Sequence, residues 1–431
     1  MVQALVIFIL TYVLLLTFSK YRAYIALASA ALFVILGILP AEKVLSSIDW
    51  NVLMMIAGTM GVVNLFIESR MPALLADKII EKVPNVKWAI IALSLFSGII
   101  SAFVDNVATV LMVAPVALDI SKKLKISPVP SIIAIAISSN IQGAATLVGD
   151  TTAILLGSYA GLDFLDFFLY RGKMGMFWIV QISALVATLI LLVVFRRESQ
   201  KVKITDITKV QDYFPTVLLV EMVLCLIVAS FIPEEVDLGF FLFRKPSITN
   251  GIICVSAAIA GVIVEVIKRR NRDVFLNTIK EIDYFTLLLL AGIFVIVAAI
   301  TEAGVIDAIS QIFIKISGDN LFVMYTLIVW ASVLFSAFID NIPYTATMLP
   351  VVTAISQTLG IDPILFFFGL LSGATLGGNI TPVGASANIT GIGILRKDGY
   401  EVSTIDFMKI SVPFTLASVI TGYILIWLVW S

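Results

Sequence analysis

Apolar runs of about 20 residues recur along the whole chain, the length an α-helix needs to cross a bilayer core about 30 Å thick. Ten read as crossings: 2–18, 21–39, 50–69, 131–160, 174–195, 213–232, 249–267, 284–302, 363–394 and 410–430. Regions 88–120 and 321–358 are too long for a single crossing. Each carries an Asp-Asn pair near its middle, Asp105-Asn106 and Asp340-Asn341. A bare carboxylate at the bilayer centre is costly, and irregular backbone is tolerated there only inside protein. Both regions therefore predict re-entrant hairpins, entering and leaving on one face with a polar tip enclosed by protein. Segments 72–82 and 305–316 have the mixed apolar and charged spacing of helices lying in the interface.

Composition agrees with this pattern. Hydrophobic residues make up 60% of the 431 and charged residues 13%, against about 45–50% and about 25% in an ordinary soluble protein. A formal net charge of −1 leaves no basic field for nucleic acid. The absence of histidine removes imidazole metal sites, Ser-His-Asp triads and imidazole proton relays. Cys225 and Cys254 sit in apolar runs and form neither a CxxC site nor a disulfide framework. No GxxxxGK[ST] loop is present to hold ATP, and nothing predicts an enzyme or a bound cofactor. The opening MVQALVIFIL lacks a basic leader and cleavage site, so the first apolar run is expected to remain as a helix.

Charge sets the expected orientation. With ten crossings and two hairpins, 22 of the 28 Lys and Arg fall on one side and 6 on the other, Lys43, Arg171, Lys173, Arg244, Lys245 and Lys315. Arg22 counts with the majority. The positive-inside rule makes that side cytoplasmic and both termini extracytoplasmic, as in a multi-pass plasma (inner) membrane protein. The basic stretch 196–212 is a cytoplasmic linker near the middle of the chain.

The two halves repeat. SAFVDNVATVLMVAPV (101–116) aligns with SAFIDNIPYTATMLPV (336–351) at an offset of 235, and the same offset places QGAATLVGDTTAI (142–154) on GGNITPVGASANI (377–389). At an offset of 234, Ile48-Asp49 meets Ile282-Asp283 and Gly58 meets Gly292. Five crossings per half is odd, so the second copy enters inverted and the two hairpin tips meet near the midplane from opposite faces. The expected fold is all-α: two inverted repeats of five spans, with one re-entrant hairpin and one broken helix in each. Such repeats with discontinuous helices at the centre are the architecture of secondary transporters. The expected division is 1–87 and 88–195 in the first repeat, the linker, then 213–320 and 321–431 in the second.

The breaks are expected where glycine is dense: Gly143 and Gly149 in the first copy, Gly377, Gly378 and Gly384 with Pro382 in the second. An unwound turn frees carbonyls for a cation and N–H groups for an anion. The candidate ligands are Asp105, Asn106, Thr109, Asn140, Thr146, Gly149, Asp150 and Thr151, then Asp340, Asn341, Thr345, Asn379, Thr381, Gly384, Ser386 and Asn388. This oxygen-rich set suits Na+ or H+ and is poor for soft metals. A Na+ position is expected at Asp105, Asn106 and Thr146, and another at Asp340, Asn341 and Thr381. Asp and Asn are also favoured helix caps, a role compatible with ion binding. Asp150 has no counterpart in the second copy, where Ala385 stands.

At the paired tips the chain resembles the ion transporter superfamily, in the branch of the ArsB arsenite permeases, NhaD sodium/proton antiporters and the melanosomal P protein. SAFVDNVATVLMVAP, SAFIDNIPYTATMLP and GGNITPVGASANI carry the resemblance. Related dicarboxylate and citrate carriers, the divalent anion:sodium symporters among them, have Ser-Asn-Thr at the tips, where this chain has Asp105-Asn106-Val107 and Asp340-Asn341-Ile342. The resemblance implies a homodimer working as an elevator, with 1–87 and 213–320 as scaffold and the hairpins and last two spans of each half as the moving unit. It implies transport of a small inorganic ion or oxyanion of the arsenite type, coupled to H+ or Na+. An arsenite-type activity further implies a soluble ATPase subunit as partner. The alternatives are Na+/H+ antiport, a carboxylate carrier and a passive anion channel.

Overall fold

The computed structural model describes residues 1–201, 207–210, 212–233, 235–237, 242–270, 273–318 and 320–431. Lys203 and Arg272 of the charge count, and 202–206 and 211 of the linker, lie outside the described residues. The first half runs α1 (Val2–Thr17), α2 (Arg22–Ile35), α3 (Val44–Ser47), α4 (Trp50–Glu68), α5 (Met71–Glu81), α6 (Val86–Ser101), α7 (Asn106–Leu124), α8 (Val129–Gln142), α9 (Thr151–Ala160) and α10 (Met176–Val194). The second runs α11 (Phe214–Ser230), α12 (Thr249–Arg269), α13 (Asp273–Glu281), α14 (Tyr284–Glu302), α15 (Val305–Ser317), α16 (Leu321–Ser336), α17 (Asn341–Leu359), α18 (Ile364–Gly377), α19 (Ser386–Lys397) and α20 (Thr404–Trp430). Two short antiparallel ribbons pair Leu169–Tyr170 with Lys173–Met174 and Glu235–Asp237 with Leu242–Arg244.

Among the described residues, α4, α10, α12, α14 and α20 are long and apolar enough to cross a membrane as single helices. The remaining expected crossings are built differently. Span 131–160 is α8 and α9 with an unwound stretch at 143–150, and span 363–394 is α18 and α19 interrupted at 378–385. The expected crossings 2–18, 21–39 and 213–232 are the shorter helices α1, α2 and α11, of 16, 14 and 17 residues. At 1.5 Å per residue, α2 is only about 21 Å long, and its first residue, Arg22, is turned into protein rather than out to a polar loop. That corrects the reading of Arg22 as a loop charge.

Regions 88–120 and 321–358 each form two helices joined by a four-residue turn, 102–105 between α6 and α7 and 337–340 between α16 and α17. Asp105 and Asp340 cap the second helix of each pair, accepting from the backbone N–H of Val107, Ala108 and Ile342. The expected interfacial segments are α5 and α15, and α5 buries Met71, Pro72, Ala76, Asp77 and Ile80 rather than lying free. Helix α13, within a charged stretch, was not anticipated. The linker is also held to the body: Val86 N–H donates to Gln200 O at 2.9 Å and Thr208 N–H to the Asp77 carboxylate at 2.8 Å.

Helices α12 on α4 and α2 on α14 form two equivalent tight crossings. A β-carbon on Gly58 would fall 2.3 Å from the Cys254 carbonyl carbon, and one on Gly292 2.8 Å from that of Ala26. Small residues let helices approach this closely where no water drives them together. From Ser131 to Gln142, α8 is wholly buried, as is every residue of α18. Enclosure by protein explains how Ser138, Ser139, Asn140 and Gln142 sit in an apolar span without facing lipid. The segments after the breaks cross over: α9 packs on α17 and α18, α19 on α7 and α8. Both halves therefore build the centre.

Candidate functional site

The two unwound stretches meet the two hairpin tips. The hydroxyl of Thr146 donates to Ala102 O, and that of Thr381 donates to Ala337 O at 2.5 Å, the same bond in each half. Close approach of backbone at these points requires glycine. A β-carbon on Gly384 would meet Gly378 O at 2.6 Å and Ala337 O at 2.8 Å, and one on Gly149 would meet Gly143 O at 2.8 Å. Carbonyl oxygens freed by the breaks converge on both glycines.

Polar side chains then tie the centre together across the halves. Asn106 donates its Nδ2 to Asn140 Oδ1 at 3.0 Å, and Asn140 Nδ2 donates to Thr375 O at 2.8 Å. Asn379 Nδ2 donates to Ile137 O at 2.9 Å. Asp150 caps α9: Oδ1 accepts from Thr151 N at 2.8 Å, and Oδ2 accepts from Thr152 Oγ1 at 3.0 Å and from Asn341 Nδ2 at 3.2 Å. Asn106 and Asn341 are equivalent in the repeat, yet both lean on the first broken helix, through Asn140 and Asp150. In the second copy Thr375 and Ala385 stand in those places and offer neither amide nor carboxylate. One broken helix takes both tip asparagines.

A cavity of about 210 Å³ opens beside this centre. Its walls take Asp105, Asn106, Asp150, Thr151, Asn341 and Ser386 from the expected residues, with Asn64, Thr286, the exposed Glu281 and Asp283 and, among the described residues, no Lys or Arg. Four carboxylates therefore face one space. A void of about 10 Å³, the room of a single small ion or water, lies beneath it between Thr59, Asp105, Gly149, Asp150 and Thr151. The Asn64 Nδ2 on the cavity wall is buried and has no hydrogen-bond partner among the described residues.

The other expected residues stand outside the cavity. Thr109 spends its hydroxyl on Asp105 O in its own helix at 3.0 Å. Thr146 and Thr381 tie backbone, and Asn140 and Asn379 bridge the halves. Asn388 Nδ2 donates to Thr381 O at 3.2 Å and Gly378 O at 3.3 Å, bracing the second break. Thr345 is buried with an unpartnered hydroxyl. Asp340 is buried and takes Arg22 Nη1 on its Oδ2 at 2.8 Å.

Sequence reasoning passed over Arg22, Asn64, Glu281 and Asp283. Asp283 carried a usable signal, since it aligns with Asp49 and both cap the helix that follows. Elsewhere Glu265 pairs with Arg269 at 2.6 Å, Glu68 pairs with Arg269 and Glu302 with Lys43, and Glu221 is exposed on α11.

Comparison with known proteins places this geometry in a family. A family model described as "Citrate transporter" matches residues 12–371. "Uncharacterized transporter Rv2684" of Mycobacterium tuberculosis is 32% identical over 99% of this chain and 98% of its own. The P protein of Mus musculus is 29% identical over 93% of this chain and 56% of its own, so the chain spans just over half of that relative. It bears out the branch to which the tip motifs point. The solved structure of the Alcanivorax borkumensis YdaH transporter, at 13% identity, superposes with a TM-score of 0.61 over 95% of this chain and 97% of its own, which shows a shared fold. The chain is an integral membrane transporter, not an enzyme, and belongs to the citrate transporter family.

Proposed function

We propose that the protein is a secondary active transporter that carries Na+ or H+ through the acid-walled cavity, exchanging one against the other. The observation that carries this reading is the cavity lining: four carboxylates, Asp105, Asp150, Glu281 and Asp283, with no basic side chain among the described residues. Such a space concentrates cations and repels anions. Asp105 and Asp150 are the cation carriers, beside a void the size of one ion and the carbonyls freed at Gly149. A carboxylate there takes either a proton or a metal cation, and that exclusivity is the least chemistry that couples two flows. Oxygen donors fit Na+; Cys225 and Cys254 both stand away from the cavity lining, so no thiolate serves a soft ligand.

The arsenite-type activity implied by the tip motifs takes second place to sodium/proton exchange, because the four carboxylates favour a cation, whereas arsenous acid is uncharged near neutral pH and gains nothing from them. The family description keeps citrate as a second reading, and citrate would have to enter with its charge neutralised by cations. The repeated element order and the exchanged packing of α9 and α19 support two inverted repeats of five crossings, and the uneven division of Lys and Arg supports both termini being extracytoplasmic in a plasma membrane. Residues 1–87 and 213–320 would be the scaffold of a homodimer, and 88–195 and 321–431 the moving unit of an elevator.

Reconstitution into proteoliposomes tests the reading. An imposed sodium gradient should drive a pH change inside without any organic or arsenic substrate, and Asp150→Asn should remove it. Sodium-independent conductance would identify a channel; flux that requires citrate or arsenite would move the assignment to that substrate.

A further inference from the structure

The two tip carboxylates are equivalent in the repeat and differ in their surroundings. Asp105 faces the acidic cavity. Asp340 is sealed: Ile342 N–H caps one oxygen at 3.1 Å and the Arg22 guanidinium takes the other at 2.8 Å, with the two side chains 14% and 10% exposed. Arg22 is itself braced, its Nε donating to Leu15 O near the end of α1 at 3.3 Å. A second tie joins α1 to the helix that Asp340 caps. The Tyr12 hydroxyl of α1 donates to Pro343 O at 2.8 Å and shares a 2.5 Å bond with Thr347 Oγ1 of α17.

We propose that Arg22 is a tethered counter-ion standing in the cation position of Asp340, so that Asp105 and Asp150 exchange cations with solution and Asp340 does not. A buried carboxylate must be compensated by a proton, a metal cation or a fixed positive group. At Asp340 the protein supplies the third. A guanidinium is always charged and is braced here on a main-chain carbonyl, so it acts as a permanent occupant that no gradient displaces. Arg22 thereby sets how many cations are carried in each cycle. This inference rests on the cation-coupled reading above.

The experiment measures the reversal potential of sodium flux in proteoliposomes under fixed sodium and pH gradients, which reports net charge per cycle. Arg22→Lys should leave it where the unsubstituted protein has it. Arg22→Gln should shift it by one additional positive charge per cycle, because Asp340 then recruits a mobile cation. Asp340→Asn alone should lose transport, since it leaves the guanidinium buried without a partner. The double variant Arg22→Gln, Asp340→Asn should regain transport at the original charge ratio, and it decides the matter if Arg22→Gln fails to fold. A double variant that carries one charge fewer, or an Arg22→Gln protein with an unchanged ratio, overturns the role of Arg22 alone. Absence of any cation coupling in the unsubstituted protein overturns the cation reading and this inference together.

Discussion

Replacing Gly384 by alanine probes the contact on which the site depends, the seating of the second hairpin tip against the second helix break. The added β-carbon would stand 2.6 Å from Gly378 O, 2.8 Å from Ala337 O and 2.8 Å from Ser336 O. All three are backbone atoms, so no rotamer change relieves them. Ser336 Oγ further pins this region by donating to Ala374 O at 2.5 Å. Overpacking of this kind costs about 1–3 kcal/mol, and Gly384→Ala belongs near the top of the range. Gly149→Ala is the milder case, with its nearest atoms at 2.8, 3.1 and 3.2 Å. Gly393 in α19 is the control, because a β-carbon there meets nothing within 4 Å. Gly393→Ala should be neutral or stabilising by roughly 0.5–1 kcal/mol. Thermal unfolding in detergent ranks the three, and sodium uptake in proteoliposomes reads the site; Gly384→Ala should lose at least about tenfold in uptake, the kinetic equivalent of 1.4 kcal/mol. A Gly384→Ala protein that melts and transports like the unsubstituted one would show that the tip is not seated as described.

Other outcomes follow from single contacts. Asp150→Asn keeps a capping side chain for α9 and removes the charge, so folding should persist while sodium-driven pH change disappears, read in parallel by melting and fluorescence quench. Asn140→Ala removes the acceptor of Asn106 and the donor to Thr375 O together; with unpaired buried groups costing about 1–3 kcal/mol each, a drop in melting temperature larger than that of Gly149→Ala is expected. Neutralising the mouth with Glu281→Gln and Asp283→Asn should raise the sodium concentration needed for half-maximal uptake at low ionic strength and have little effect at 1 M salt, where the screening length is about 3 Å. Equal effects at both salt levels would mean that these acids bind the ion rather than attract it.

Much of the architecture was legible because bilayer physics leaves few options. Length and polarity of the apolar runs marked the helices, five of which among the described residues are long and apolar enough to cross a membrane, and Asp105 and Asp340 marked the turns between paired helices, since a carboxylate flanked by apolar residues has few affordable positions. The breaks at 143–150 and 378–385 were visible from glycine density. Less legible was which half serves which tip. Repeat alignment treats Asn106 and Asn341 alike, whereas the fold sends one to Asn140 and the other to Asp150 of the same broken helix. The sequence also held no record of where the hydroxyls donate: Thr109, Thr146 and Thr381 each give their proton to a backbone carbonyl, which leaves the oxygen lone pairs as the ligand atoms. A side-chain oxygen in an apolar span has to be satisfied somewhere, and the nearest carbonyl is often in its own helix or the next turn.

The chain by itself determined that it lives in a bilayer, that its halves share repeated motifs, and that acidic turns and interrupted helices belong together, because each of those follows from local transfer cost or from repeated letters. Only the folded molecule decided that Arg22 lies against Asp340, 318 positions away, and that Glu281 and Asp283 share a cavity with Asp105. Charge pairing of this kind depends on how helices from opposite halves cross, and one-dimensional spacing holds no record of that crossing.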